Sequence, residues 1–300
     1  MRLTLRQLLI FTAVADTGST TAAGLRVALS QSATSGSLNE LEGFLGTQLF
    51  DRIGKRLLLN DTGRALLPLA RAVLDGAQDI ENQFHVGNAK GPGLATRLRL
   101  GASTTIGNYV LPSLVASYLK ACPGSAVDVV VGNTREISAS VSRLEVDIGL
   151  IEGPCHEPDL HVEPWLEDEL VVVCGPSHPL AARSARARVP LNVLRKERWL
   201  LREPGSGTRE AVEHLLLPHL HHLHSDLQPG STEAIKHAAA EGLGLACVSR
   251  CTVEDLVSLG KLVVLRTTLP VLTRRFYVIR HRHKRLTGNL QRFVKHCVRP

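Results

Sequence analysis

The sequence predicts an α/β chain in three parts: an N-terminal winged helix-turn-helix over residues 1–60, a long linker helix over 61–88, and a two-lobed domain over 95–300. Three observations carry this. Three helical stripes are followed by a hairpin pattern. One amphipathic run then continues for about five turns. Beyond it, short apolar strands alternate with helical stretches, which implies a mostly parallel sheet with helices on both faces. The first lobe is expected over about 95–167 and 270–300, the second over about 168–269.

In the first part, Leu5, Leu8, Phe11, Val14 and Ala15 form one stripe of a helix that ends at Gly18. Ser19 or Thr21 caps a short second helix through Val27. Ser30 caps a third, whose core stripe is Thr34, Leu38, Leu41 and Leu45, stopped by Gly46. The opposite face carries Ser32, Ser35, Gly36 and Asn39. Small polar groups there suit a major groove, because bulk would block contact with base edges. Phe50 to Arg52 and Leu57 to Leu59 form a hairpin around Gly54, with Arg52, Lys55 and Arg56 beside its tip, and this is read as a wing. Asn60 caps the long helix, in which Leu66, Leu69, Val73, Ala77, Ile80 and Phe84 recur at spacings of three and four. Such a seam fits a second copy of the same helix. Gly87 to Thr96 is a linker by composition.

In the third part the strands expected are Leu98 to Gly101, Val127 to Val131, Ile148 to Ile151, Leu170 to Cys174, Leu245 to Val248, Leu262 to Leu265 and Phe276 to Ile279. No apolar run approaches the ~18 residues that span a bilayer. Met1 to Gln7 enter an amphipathic helix without a cleavage site, so a cytoplasmic protein is expected. The six cysteines show no CxxC pair, which argues against a zinc site or a disulfide framework. No metal or cofactor is expected.

The net charge of +7 suggests a polyanionic partner, but residues 1–88 carry eight Lys/Arg and eight Asp/Glu. The excess lies after residue 265, where ten Lys/Arg, Arg274 and Arg275 among them, meet no acid. Pattern, not charge, must therefore carry any DNA reading. Phe276, Tyr277 and Ile279 interleave with these arginines as a strand, so most of them are read as a solvated face or a subunit contact. His214 to His224 resembles a metal tract in composition, yet Pro218 breaks the helix and no ligand spacing is present, so a surface loop is expected. GxSxG, a P-loop lysine and HExxH are all missing, and no enzyme is indicated.

These residues resemble a known family. Gly18-Ser19, Thr21-Ala22-Ala23, Ser30-Gln31-Ser32-Ala33, Ser35, Leu41-Glu42, Leu45-Gly46, Leu49-Phe50 and Arg52 are similar, without a gap, to the N-terminal signature of LysR-type regulators. Gly101-Ala102-Ser103, Leu111-Pro112, Val146 to Gly149, His178 to Leu180 and Gly242 to Gly244 extend the likeness. Arg202 to Arg209 resembles a branch that includes regulators of sulfur assimilation and of carbon fixation. The resemblance implies a bacterial transcription regulator with a winged helix, a dimerising linker helix and a sensor like a periplasmic binding protein. It further implies a homodimer assembling to a homotetramer, with double-stranded promoter DNA, a small effector and RNA polymerase as partners. Gly24, Leu25, Thr34 and Gly36 depart from the family pattern.

The DNA-contact candidates are Ser30, Gln31, Ser32, Thr34, Ser35 and Asn39 on the third helix, and Arg52, Lys55 and Arg56 in the wing. Gln31 can make paired hydrogen bonds to adenine, and the wing cations fit the backbone or minor groove. In the sensor, Ser103-Thr104-Thr105 follow a strand and open a helix, where hydroxyls and amides meet the positive end of the helix dipole. Asn133-Thr134 form a similar cap, and Ser206-Gly207-Thr208-Arg209 enter a helix on the other lobe. Glu152 and Glu203 lie beside these loops and are read as partners for Arg209 or for backbone amides, not as an acid/base pair. The effector expected is a small anion, a sulfur oxyanion or a small carboxylate, held by Ser103 and Thr105 on one side and Ser206, Thr208 and Arg209 on the other. The alternative is a two-lobed solute-binding protein. Residues 1–88 separate the two, because such a protein would begin with a signal peptide and lack a recognition helix.

Overall fold

The computed structural model describes residues 3–54, 56–83, 97–284, 286 and 288–298. Lys55, Phe84, the linker Gly87 to Thr96, Arg285 and Arg299 lie outside the described residues. The chain divides into two units, Met1–Thr96 with Lys284–Gln291, and Arg97–His283 with Arg292–Pro300.

The first unit runs α1 (Leu5–Thr17), α2 (Thr20–Arg26), α3 (Gln31–Leu45), the antiparallel hairpin β1 (Phe50–Ile53) and β2 (Arg56–Leu59), then α4 (Asp61–Gln83). Each helix of the trio has its cap: Thr4 with Gln7, Ser19 accepting from the Ala22 N–H, and Ser30 from the Ala33 N–H. Leu8, Phe11, Val14, Leu38, Leu41, Leu49 and Phe50 form the core, joined by Leu67 and Ala70 of α4. A Cβ at Gly24 would lie 2.8 Å from the Leu29 carbonyl oxygen and 3.0 Å from Thr34 Oγ1. Two departures from the family pattern thus meet in one packing contact. Asn60 accepts from the Gly63 N–H at 2.9 Å and Arg71 pairs with Asp16 at 2.7 Å, which fixes the start of α4 on the trio. Its outer stripe stays open, with Leu69 65%, Val73 49% and Ile80 61% exposed.

The second unit contains β3 (Arg97–Ser103), a π-helical turn (Ile106–Val110), α5 (Leu111–Ala121), β4 (Ala126–Gly132), α6 (Thr134–Ser142), β5 (Ile148–Glu152) and β6 (Leu160–Cys174). It continues through α7 (Pro179–Arg186), α8 (Leu191–Leu194), β7 (Arg198–Leu200), α9 (Gly207–Leu220), β8 (His224–Leu227), α10 (Thr232–Ala240) and β9 (Leu245–Ser249). A 3-10 turn (Arg250–Thr252), α11 (Glu254–Ser258), β10 (Val263–Val264) and β11 (Leu272–His281) follow, and α12 (Gly288–Val298) ends the order, counted with the first unit up to Gln291 and with the second from Arg292.

The strands lie in the order β4-β3-β5-β11-β6-β9-β7-β8, with β10 also on β6. The sheet is less parallel than expected. β3 runs parallel to β4 and β5, and β7 to β8 and β9, but β6 and β11 are antiparallel to each other and to their other neighbours. These two long strands join a first lobe (β3, β4, β5, α5, α6) to a second (β7, β8, β9, α7 to α10). Val172, Trp199, Leu216 and Leu245 fill one side of the second lobe, while Val173, Ile235, Ala246 and Val248 fill the other. Ile137, Val141, Ile151 and Ile279 form a core of the first. Pro218 does not end α9, as had been expected. Leu216 and Leu220 are buried on either side of it, and their packing carries the helix past the missing N–H. His224 opens β8 instead of lying in a loop.

Candidate DNA-binding and effector-binding sites

On α3, Ser30, Gln31, Ser32 and Asn39 are exposed and Ser35 is half-buried, so they share the face turned away from the core. Ser30 Oγ lies 3.0 Å from Ser32 Oγ, and Gln31 Nε2 donates to Thr20 Oγ1 at 3.2 Å. Thr34 is different. It is fully buried and its hydroxyl donates to the Ser30 carbonyl at 2.9 Å, so the core claims it and it is no DNA contact. Nothing lies within 4 Å of a Cβ built at Gly36, which leaves that face open. Arg52 and Arg56 are exposed on the hairpin, one on each strand.

In the sensor, Ser103, Thr105, Glu152 and Thr208 come together in a buried cluster. The Thr105 N–H donates to Glu152 Oε1 at 2.7 Å, and the Thr208 hydroxyl donates to Glu152 Oε2. The guanidinium that completes the set is Arg274 of β11, not Arg209. Its Nη1 reaches Glu152 Oε2 at 2.8 Å and Thr208 Oγ1 at 2.9 Å, and its Nε reaches Asp168 at 2.7 Å. Ser103 Oγ is buried without a partner of ordinary hydrogen-bond geometry. Gly207 permits the approach of the lobes, since a Cβ there would fall 1.7 Å from the Glu152 carbonyl oxygen. Thr134 Oγ1 donates to that same carbonyl at 2.9 Å.

Thr104, Asn133 and Glu203 form a second group around Arg202. Arg202 is bidentate to Glu203 at 2.8 and 2.9 Å, and donates to Thr232 Oγ1 at 2.8 Å and Thr104 Oγ1 at 3.3 Å. Asn133 Nδ2 donates to Glu203 at 3.4 Å. Arg209 stands apart. Its guanidinium is held along α9 by Glu213 at 2.9 Å, the Arg202 carbonyl at 2.9 Å and Gln228 at 3.0 Å. With Ser206 it borders a cavity of about 630 Å³ that is also lined by Thr134, Arg135 and Glu210. Of the two partners expected for Glu152 and Glu203, a backbone amide is found for Glu152 in the Thr105 N–H, whereas Arg209 is replaced by Arg274 and Arg202, because the i,i+4 Glu213 turns Arg209 away.

Two signals could have found Arg274, which the reading of a solvated face missed. Leu272, Arg274 and Phe276 alternate on the buried side of β11, and β6 supplies the acids that residues after 265 lack. Arg274 pairs with Asp168, Arg275 with Glu167 and Arg280 with Glu163, so these arginines are not a free basic face. Arg274 is among the most enclosed charges of the unit, not a solvated one.

Comparison with known proteins identifies both parts of the chain. Residues 5–64 match the bacterial regulatory helix-turn-helix protein, lysR family, and residues 91–299 match the LysR substrate binding domain. The chain is a LysR-type transcriptional regulator. It is 47% identical to the HTH-type transcriptional regulator YeiE of Escherichia coli, over 99% of this chain and 98% of that one. It is 34% identical to the HTH-type transcriptional regulator CysL of Bacillus subtilis (82% and 81%) and 32% identical to the RuBisCO operon transcriptional regulator of Allochromatium vinosum (98% and 96%). Relatives of the branch suggested by Arg202 to Arg209 are therefore among those it matches. A full-length OxyR variant of Pseudomonas aeruginosa shares the fold, with a TM-score of 0.77 at 24% identity over 99% of this chain and 94% of that one. The regulatory domain of Synechocystis CcmR in complex with 2-PG has a TM-score of 0.61 at 33% identity, over 68% of this chain and 96% of that one. A DNA-binding regulator with an effector-binding domain is thus established, and nothing supports a solute-binding protein. Among the described residues no helix is long and apolar enough to cross a membrane.

Proposed function

We propose that this LysR-type regulator holds promoter DNA with the outer face of α3 and the wing. It pairs through the open stripe of α4, and it changes state when a small oxyanion or carboxylate takes the place of the Glu152 carboxylate between the lobes. The observation that carries the effector reading is the donor set around Glu152. An amide, a hydroxyl and a guanidinium converge on one carboxylate, and the Ser103 hydroxyl is left over beside it. Donors in that number select for negative charge, and an anion that also satisfies Ser103 has a bond the internal carboxylate lacks. CcmR, a related regulator, binds 2-PG in its regulatory domain.

The protein acts in the cytoplasm, where its DNA lies, and as a binding protein with RNA polymerase as the downstream partner. Glu152 and Glu203 are each paired with an arginine, Arg274 and Arg202, which supports reading them as parts of a binding site. Two α4 pairs assemble the tetramer. Calorimetry of the full-length protein with sulfite, sulfate, thiosulfate, 2-oxo acids and phosphorylated metabolites tests the site. One of these anions should bind, and Thr208→Val should weaken it by about 1–3 kcal/mol through the lost hydroxyl. Wild-type affinity in Thr208→Val, or an effector that is a cation or apolar, would overturn the assignment.

A further inference from the structure

Away from the Glu152 cluster, a second set of polar groups crosses between the lobes. The π-helical turn Ile106–Val110 carries Tyr109 at the start of the first lobe's α5, and α10 of the second lobe carries Glu233 and Lys236. Lys236 is a lysine with 1% exposure, so its ammonium must be paired. It donates to the Tyr109 hydroxyl at 2.7 Å, to Glu233 at 3.3 Å and to Asp255 at 3.4 Å, and it lies 5.1 Å from the centre of the Tyr109 ring. The Tyr109 hydroxyl in turn donates to Glu233.

These partners divide by lobe. Glu233 and Asp255 belong to the second lobe with Lys236 itself, whereas Tyr109 comes from the first. Opening the lobes would strip the phenol and its ring from the ammonium but leave both carboxylates in place. The charge stays paired in either state, so separation costs the two hydrogen bonds of the phenol instead of a bare buried ion. A π-helical turn adds one residue to a helical turn and rotates the residues after it, so a side chain near a helix start can be aimed across a gap.

We infer that Tyr109, Glu233 and Lys236 form a reversible latch that holds the two lobes closed and sets how firmly the effector is enclosed, without touching it. Burial and Glu233 push the Tyr109 hydroxyl up to about 12, so the latch keeps its proton at every physiological pH. The same helix also receives Arg202 through Thr232, which ties the latch to the Thr104 and Glu203 group.

The latch rests on the two-lobed reading of the sensor, but its test needs no effector, so its failure is separable from that of the anion site. The Arg135 N–H donates to the Gly205 carbonyl at 3.1 Å, a backbone bond from one lobe to the other. Its hydrogen exchange, resolved by NMR on the full-length protein, reports lobe opening. In Tyr109→Phe, which removes only the hydroxyl, and in Lys236→Met, exchange at Arg135 should rise about tenfold or more, while the paired strands β3 and β4 exchange as in the wild type. Lys236→Arg should restore slow exchange at Arg135. Wild-type exchange at Arg135 in Tyr109→Phe, or an equal rise across β3 and β4, would overturn the latch.

Discussion

Burial alone would push the Glu152 carboxyl up, but Arg274, the Thr208 hydroxyl and the Thr105 N–H outweigh it and hold its pKa below the ordinary 4.5. A carboxyl whose folded pKa is lowered adds stability above its unfolded pKa and loses it as pH falls through the folded value. The sensor should therefore lose stability as pH drops below about 4.5, the unfolded end of that window. Denaturant melts of the wild type and Glu152→Gln at pH 7 and at pH 3 check this. The variant should be the less stable at pH 7 and the gap to the wild type should be narrower at pH 3, and a constant difference between them would refute the pairing. The hydroxyls of Ser103, Thr105 and Thr208 could be picked out in the sequence by their place at strand-to-helix turns, and the structure gathers them around Glu152. The identity of the guanidinium could not be picked out in the same way. Arg209 stood in the right loop, but a glutamate one turn later offered it a closer partner than any group across the cleft.

At the scale of elements, helix caps and apolar stripes located α1, α2, α3 and the wing correctly, since local chemistry decides where such short helices begin and end. β6 was harder. Its residues 160–169 include Glu163, Glu167, Asp168 and Glu169, which no strand pattern favours, and each is paired with an arginine of β11 or with Arg250 only once the chain is folded. A strand whose stabilising partners lie more than 80 residues away cannot be seen locally. β8 was hidden in the histidine tract, because what makes it a strand is its pairing with β7, with Arg198 opposite His224. The linker helix supports a prediction of its own. Leu69, Val73 and Ile80 face outward on α4, and an unpartnered charge buried in such a seam costs several kcal/mol. Val73→Asp should lower the mass measured by light scattering to that of a smaller assembly. An unchanged mass would mean that other surfaces hold the copies together.

For the whole molecule, net charge proved a poor guide to the DNA site. Residues 1–88 are electrically balanced, and much of the basic excess is spent on ion pairs inside the sensor sheet. DNA affinity must then come from few cations well placed. Arg52→Ala and Arg56→Ala should each weaken binding to every DNA sequence and lower the salt slope by about one, whereas Gln31→Ala should change the preference among sites. Filter binding over a range of salt separates the two effects, and an unchanged slope in both arginine variants would remove the wing from the interface. The strands that join the lobes carry one more consequence. β6 and β11 pair side by side from Leu160 opposite His281 to Leu170 opposite Leu272. A hydrogen-bonded ribbon of two strands resists stretching and sliding, because either breaks its register, but it twists readily. It works as a torsion bar: whatever closes the lobes delivers an angle, not a displacement.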